Sequence, residues 1–220
     1  MLDRQHSRQV YWSAYIGRAV GGGRRTLTIR TTIGVMGSAG GLMREHDLAQ
    51  ARELGRQIAR HGAIIITGAC PGLPHEAVLG AREVGTFVLG ISPALCLDEH
   101  IDRYHSPHEE YDALVFTGSG LMGREIETIR SCHIVCIVGG RSGTLGEFAI
   151  AYDEGKLIAV LQGTGGIADS IDEIVGMVHK DTGAEVIYDR DPRALIDRAI
   201  EHYEDRVRRG VAHCIRIPNG

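Results

Sequence analysis

Residues 134 to 147 read IVCIVGGRSGTLGE, and the fold follows from how this stretch changes character along its length. Ile134 to Val138 form a short, unbroken apolar run rich in β-branched residues, the pattern of a strand covered on both faces. Gly139, Gly140 and Gly143 then interrupt the run, and the polar chain that follows takes up a helical period from Thr144. A strand that passes through a glycine turn directly into a helix is half of a βαβ unit.

Working outward in both directions, the same alternation recurs. The runs TIGVM (32–36), AIIIT (63–67), TFVLGI (86–91), ALVFT (113–117), LIAVL (157–161) and EVIYD (185–189) are further apolar candidates for strands. Leu48, Ala51, Leu54 and Ile58 recur at three- and four-residue spacing and give a first helix one apolar stripe. Similar spacing predicts helices near 73–84, 120–131, 144–154, 167–179 and 192–208. The expected class is α/β: a doubly wound, mainly parallel sheet of about seven strands with helices on both faces.

Composition agrees with a globular chain. The 220 residues are 43% hydrophobic and 24% charged, enough for one domain core. A formal charge of -4 offers no general attraction to nucleic acid or to an anionic membrane, so anion binding has to come from local geometry. Five cysteines at irregular spacing do not form a disulfide framework and fit a reducing cytoplasm. Residues 1–25 are read as an extension and linker before a single domain over 26–220. The stretch VYWSAYIGRAV is interrupted by Gly17 and Arg18 before signal-peptide length, and GGGRR (21–25) resembles a linker. Tyr11, Trp12 and Tyr15 are expected to dock on the body or on a neighbouring subunit. No apolar run of about 18 residues predicts a membrane span.

Glycine clusters fall where strands end: GSAGG after the first, TGACPG after the second, TGSG after the fourth, GGRSGT after the fifth and GTGG after the sixth. In an open parallel sheet, ligands bind outside the carboxyl ends of strands, where loops meet helix N-termini. Gly37, Ser38 and Gly68 belong to the first two clusters. In the fifth, Gly139, Gly140 and Gly143 let backbone approach a ligand, while Arg141, Ser142 and Thr144 add a charge and two hydroxyls at a helix start. A phosphate or carboxylate is the natural guest. Tight turning alone would also call for glycine, and GVMGSAGG fits neither a P-loop nor the G-x-G-x-x-G spacing. Glu147 is equally open, since Thr144 with Glu three residues later also reads as a capping box.

GGRSGTLGE resembles the P-G-G-x-G-T-x-x-E signature of the LOG family, Rossmann-like proteins often labelled "possible lysine decarboxylase". Its characterised members are cytokinin nucleoside 5′-monophosphate phosphoribohydrolases. Arg124 stands twenty residues before Thr144, where the family carries an arginine, and the first two glycine loops are also similar, so the likeness runs over roughly residues 30–165. The resemblance implies a Rossmann-like nucleotide-binding domain with a catalytic Arg124 and Glu147. Glu147 would stabilise an oxocarbenium-like sugar and orient water, Arg124 would hold the nucleotide, and the helix N-terminus would take the 5′-phosphate. It also implies a homodimer. Three positions depart from the pattern: Gly139 for proline, Arg141 for glycine, and Glu125 where hydrolases often carry lysine. Two functions therefore stand side by side, a phosphoribohydrolase and a non-catalytic binder or carrier of a nucleotide or phosphorylated cofactor.

Other candidates carry less. His100, His105 and His108 lie in a polar loop without repeated metal-ligand spacing, so it is read as solvated and no metal is expected. Cys132 and Cys136 lie in an apolar strand and are read as reduced core thiols. Pyridoxal phosphate requires a Schiff-base lysine, and the only lysines are Lys156, just before a strand, and Lys180, in a late polar turn. Lysine decarboxylation and a resident cofactor are accordingly not expected.

Overall fold

The computed structural model describes residues 30–209; the extension at 1–25 with its three aromatic residues, and Cys214, lie outside the described residues. Seven strands alternate with helices: β1 (Thr32–Gly37), α1 (Glu45–Arg60), β2 (Ile64–Thr67), α2 (Leu73–Val84), β3 (Val88–Ser92), α3 (Leu97–Asp102) and β4 (Ala113–Phe116). The second half runs α4 (Gly120–Arg130), β5 (Ile134–Val138), α5 (Ser142–Asp153), β6 (Leu157–Leu161), α6 (Ile171–Val178), β7 (Glu185–Asp189) and α7 (Pro192–Arg208). The strands form one sheet in the order β4-β3-β2-β1-β5-β6-β7, and every pairing is parallel.

The sequence alternation sets the two cores. Ile33 and Val35 of β1, with Ile134, Cys136 and Val138 of β5, face one side and pack under α1, α2 and α7. Met36, Val135 and Ile137 face the other and meet Ile129 of α4, Phe148 and Ala151 of α5, and Ile171 of α6. Both faces of β5 and β6 are fully covered, which is why those strands read as continuous apolar runs. Cys132 and Cys136 are buried free thiols within these layers, as expected.

Two elements differ from the sequence reading. The helix expected over 167–179 is split into a 3-10 turn (Gly166–Asp169) and α6, because the N–H groups of Ile167 and Ala168 donate back to the carbonyls of Gly140 and Gly139. The loop read as solvated contains the short α3, and His100 within it is fully buried. Its Nδ1 pairs with Ser92 Oγ at 2.8 Å and its Nε2 with the Pro107 carbonyl at 3.0 Å. A helix of six residues carries too little periodicity to stand out in sequence.

The connectivity locates the cleft. From β1 the chain steps outward through β2, β3 and β4, then crosses back to place β5 on the other side of β1. The order reverses between β1 and β5, and loops leaving their carboxyl ends diverge there to opposite faces, opening a crevice.

Candidate functional site

The glycine turn after β5 closes one wall of that crevice. Gly139 (φ 58°) and Gly140 (φ 108°) both take left-handed backbone, and a Cβ on Gly140 would lie 2.6 Å from Thr144 Cβ. Their polar groups are committed to the protein. Gly139 N–H donates to Thr164 Oγ1 and Gly140 N–H to Ser38 Oγ, each at 2.8 Å. Gly139 and Gly140 thus shape the turn from behind, and Ser38 ties the β1 loop to it. Gly37 permits the close approach of the two strand ends, since a Cβ there would lie 2.3 Å from the Val138 carbonyl oxygen.

Beyond the turn, Arg141 takes the N-cap position of α5 in extended conformation and supplies no side-chain cap. The first intrahelical bond runs from Leu145 N–H to the Arg141 carbonyl. The N–H groups of Ser142, Gly143 and Thr144 precede it and point outward from the helix start. The Arg141 guanidinium lies beside Gly40 and Gly41 of the β1 loop and makes no ion pair with any described residue.

The helix start also corrects the capping-box reading. Thr144 is the third helical residue rather than the cap, and Glu147 turns inward instead of back to the helix terminus. Glu147 Oε1 meets Arg124 Nη1 of α4 at 3.4 Å, and both residues are about 95% buried (exposures 5% and 6%). Arg124 Nη1 also lies 3.4 Å from Thr128 Oγ1, one turn further along α4. The guanidinium rests flat on Gly68 at the end of β2: a Cβ there would lie 2.1 Å from Nη1. Gly68 is therefore the residue that makes room for Arg124. Arg124 Nε is buried without a hydrogen-bond partner.

Burial dominates the electrostatics. It pushes the Glu147 carboxyl up to about 7; Arg124 pulls it down and the neighbouring Glu125 pushes it further up. Glu125 is itself raised by burial, with Arg124 opposing. The Cys70 thiol, in the same wall, is pushed up to about 11 by burial and stays protonated at neutral pH.

Together these residues bound a cleft of about 440 Å³. Gly37, Ser38, Gly68, Arg124, Arg141, Ser142, Gly143, Thr144 and Glu147 all line it, whereas Gly139 and Gly140 do not. Val35, Met36, Ala39, Cys70, Pro74, Leu121, Met122 and Glu125 complete the wall. The sequence signalled Glu125 only as a departure from a family pattern, not as a cleft residue. Neither lysine is nearby: Lys156 Nζ donates to the Cys132 carbonyl and Lys180 pairs with Asp153. Among the described residues no group of three His, Cys, Asp or Glu side chains could hold a metal ion, and no helix is long and apolar enough to cross a membrane.

A cleft at the strand-order reversal, with an arginine–glutamate pair buried beside a glycine-turn helix start, is the site that the LOG resemblance implies, and comparison with known proteins places the chain among the LOG-type Rossmann-like proteins. More narrowly, residues 30–196 match the SLOG cluster4 family, and the chain belongs to it. The molybdenum cofactor carrier protein from Chlamydomonas reinhardtii is 30% identical, with a TM-score of 0.65 over 80% of this chain and 99% of that one. The crystal structure of TM1055 superimposes with a TM-score of 0.66 at 26% identity, over 80% of this chain and 99% of that one. A protein from Archaeoglobus fulgidus is 32% identical over 133 residues, 59% of this chain and 79% of its own length.

Proposed function

We propose that the cleft binds a phosphorylated heterocyclic small molecule, a nucleoside monophosphate or a phosphorylated cofactor, and that the chain carries it rather than cleaves it. The observation that carries this reading is the start of α5: outward N–H groups beside the unpaired Arg141 guanidinium, opening onto a cleft of about 440 Å³. A helix N-terminus with an adjacent guanidinium is matched to a phosphate dianion by charge and by hydrogen-bond donors.

Carriage is favoured over hydrolysis by the departures from the hydrolase pattern at Gly139, Arg141 and Glu125, the last of which sets a carboxylate beside Arg124 in the cleft where hydrolases often carry lysine. The likeness to the molybdenum cofactor carrier protein, nearly complete over that chain, points the same way. The second reading, a phosphoribohydrolase, is favoured by the Arg124–Glu147 pair itself, which lies in the cleft as that chemistry requires.

Thermal shift and ribose 5-phosphate release, measured on the same panel of nucleotides, separate the two. Stabilisation without release is expected; release assigns the hydrolase; a panel that produces neither contradicts the cleft assignment. We further propose a homodimer, because α4 and the start of α5 expose Leu121, Met122, Ile126 and Leu145 next to the cleft. Light scattering at micromolar concentration is expected to give twice the chain mass, and a monomer mass would contradict it.

A further inference from the structure

Among the described residues three carboxylates are buried: Asp47, Glu125 and Glu147. Asp47 accepts from Arg44 at 2.6 Å and Glu147 meets Arg124. Glu125 is only 4% exposed and has no hydrogen bond or ion pair with any described residue. Its oxygens lie along the first turns of α5: Oε1 is 3.7 Å from where a Cβ on Gly143 would lie, and Oε2 2.9 Å from the corresponding point on Gly146. Neither oxygen is sealed inside the protein, so this carboxylate, unpaired by any described residue, opens as an acceptor onto the cleft that Glu125 lines.

The chemistry of the donors that answer it can be narrowed. A metal ion is disfavoured by Arg124 next in sequence and by the want of further ligands. A heterocycle fits better, because Leu121 and Met122, four and three residues before Glu125 on the same helix, bring exposed apolar side chains to the same wall. A carboxylate offers two parallel acceptors. The edge that answers it presents two parallel N–H donors, as does the 2-amino-4-oxopyrimidine edge of guanine and of pterins, with a ring N–H beside an exocyclic amino group. Adenine presents an acceptor nitrogen there and sets a lone pair against the carboxylate.

Resting on the reading of the cleft as a site for a phosphorylated heterocycle, we infer that Glu125 is its specificity-determining residue and selects ligands that carry a 2-amino-4-oxopyrimidine edge.

The test is a set of binding titrations at pH 8 with GMP, IMP, XMP, AMP and neopterin monophosphate, on the wild-type chain and on Glu125→Gln. GMP is expected to bind at least tenfold more tightly than AMP, since one bidentate pair commonly gives discrimination of that order. IMP, which lacks the amino group, is expected between them, and XMP, which turns a carbonyl toward the carboxylate, near AMP. Glu125→Gln is expected to bring the GMP and AMP affinities within about threefold of each other, by weakening GMP. A tenfold preference for neopterin monophosphate over GMP would identify the pterin as the source of that edge, and the reverse a guanine nucleotide; both support the inference. Equal affinity for GMP and AMP in the wild-type chain, or a preference that survives Glu125→Gln, overturns it. Should the variant fail to fold, the wild-type ranking decides alone. Equal binding of GMP and AMP that Arg141→Ala weakens alike overturns the role of Glu125 and leaves the phosphate site standing. No binding by any of the five overturns both.

Discussion

Two hollows on this molecule are framed by arginine and glutamate, and they use them in opposite ways. One, of about 340 Å³, lies between α1 and α2 and is lined by Glu45, Arg52, Arg56 and Glu76. Its charges form a surface lattice: Arg52 meets Glu83 at 3.0 Å, and Arg56 meets Glu83 at 2.5 Å and Glu53 at 2.9 Å. The other is the β1–β5 cleft, where Arg124, Glu125 and Glu147 are almost fully buried and share a single 3.4 Å pair. Solvent screens the first set, and Glu53, Glu76 and Glu83 each meet an arginine, so those charges hold two helices together at little cost. In the second, Arg124 pairs with Glu147 alone and burial raises both acids, which leaves the Glu125 oxygens as acceptors for a ligand. Paired exposed charges mark a scaffold; under-paired buried ones mark a site.

Four substitutions probe that contrast, in falling order of expected effect. Arg124→Met leaves Glu147 buried with no cation and is expected to destabilise the fold at pH 8 by about 3 kcal/mol or more in urea unfolding, and to abolish ligand binding. Gly68→Ala puts a methyl group where the guanidinium lies and is expected to cost about 2 kcal/mol by the same measurement, with binding reduced at least tenfold.

Glu147→Gln acts through pH. The native Glu147 holds its proton up to about pH 7, while the unfolded chain releases it near the ordinary 4.5. Between those values the native state binds more protons, so this group's contribution to stability is greatest below about pH 4.5, declines as pH rises, and levels off above pH 7. Wild-type stability minus that of the variant is therefore expected to fall from pH 4.5 to 8, judged from denaturant midpoints. A flat difference would mean that Glu147 titrates normally. Arg56→Ala, in the surface lattice, is expected to change stability by no more than about 1 kcal/mol and to leave every ligand affinity unchanged. A larger effect there than at Arg124 would reverse the comparison.

Legibility in the sequence followed the same division. All seven strands could be read from their apolar runs, because burial on both faces removes polar residues from them. The glycine turn was readable from the residues themselves, whereas Arg124 and Glu147 were singled out together only through the resemblance to the LOG family. The commitment of Gly139 and Gly140 to Thr164 and Ser38 was not, since those bonds join residues 25 and 102 positions apart. Gly68 was visible as part of a loop but not as the floor beneath Arg124, a contact across the sheet that no local pattern encodes. His100 appeared as one polar residue among many, and only the tertiary fold brings Ser92 and Pro107 to its two ring nitrogens.

The central claim, that the α5 start holds a phosphate, is tested most directly by titrating each nucleoside monophosphate against its parent nucleoside, with the wild-type chain and with Arg141→Ala. The phosphate is expected to tighten binding at least tenfold in the wild-type chain, with that advantage cut severalfold in the variant and stability unchanged. Equal affinity for nucleotide and nucleoside, or an advantage indifferent to Arg141→Ala, would contradict the account.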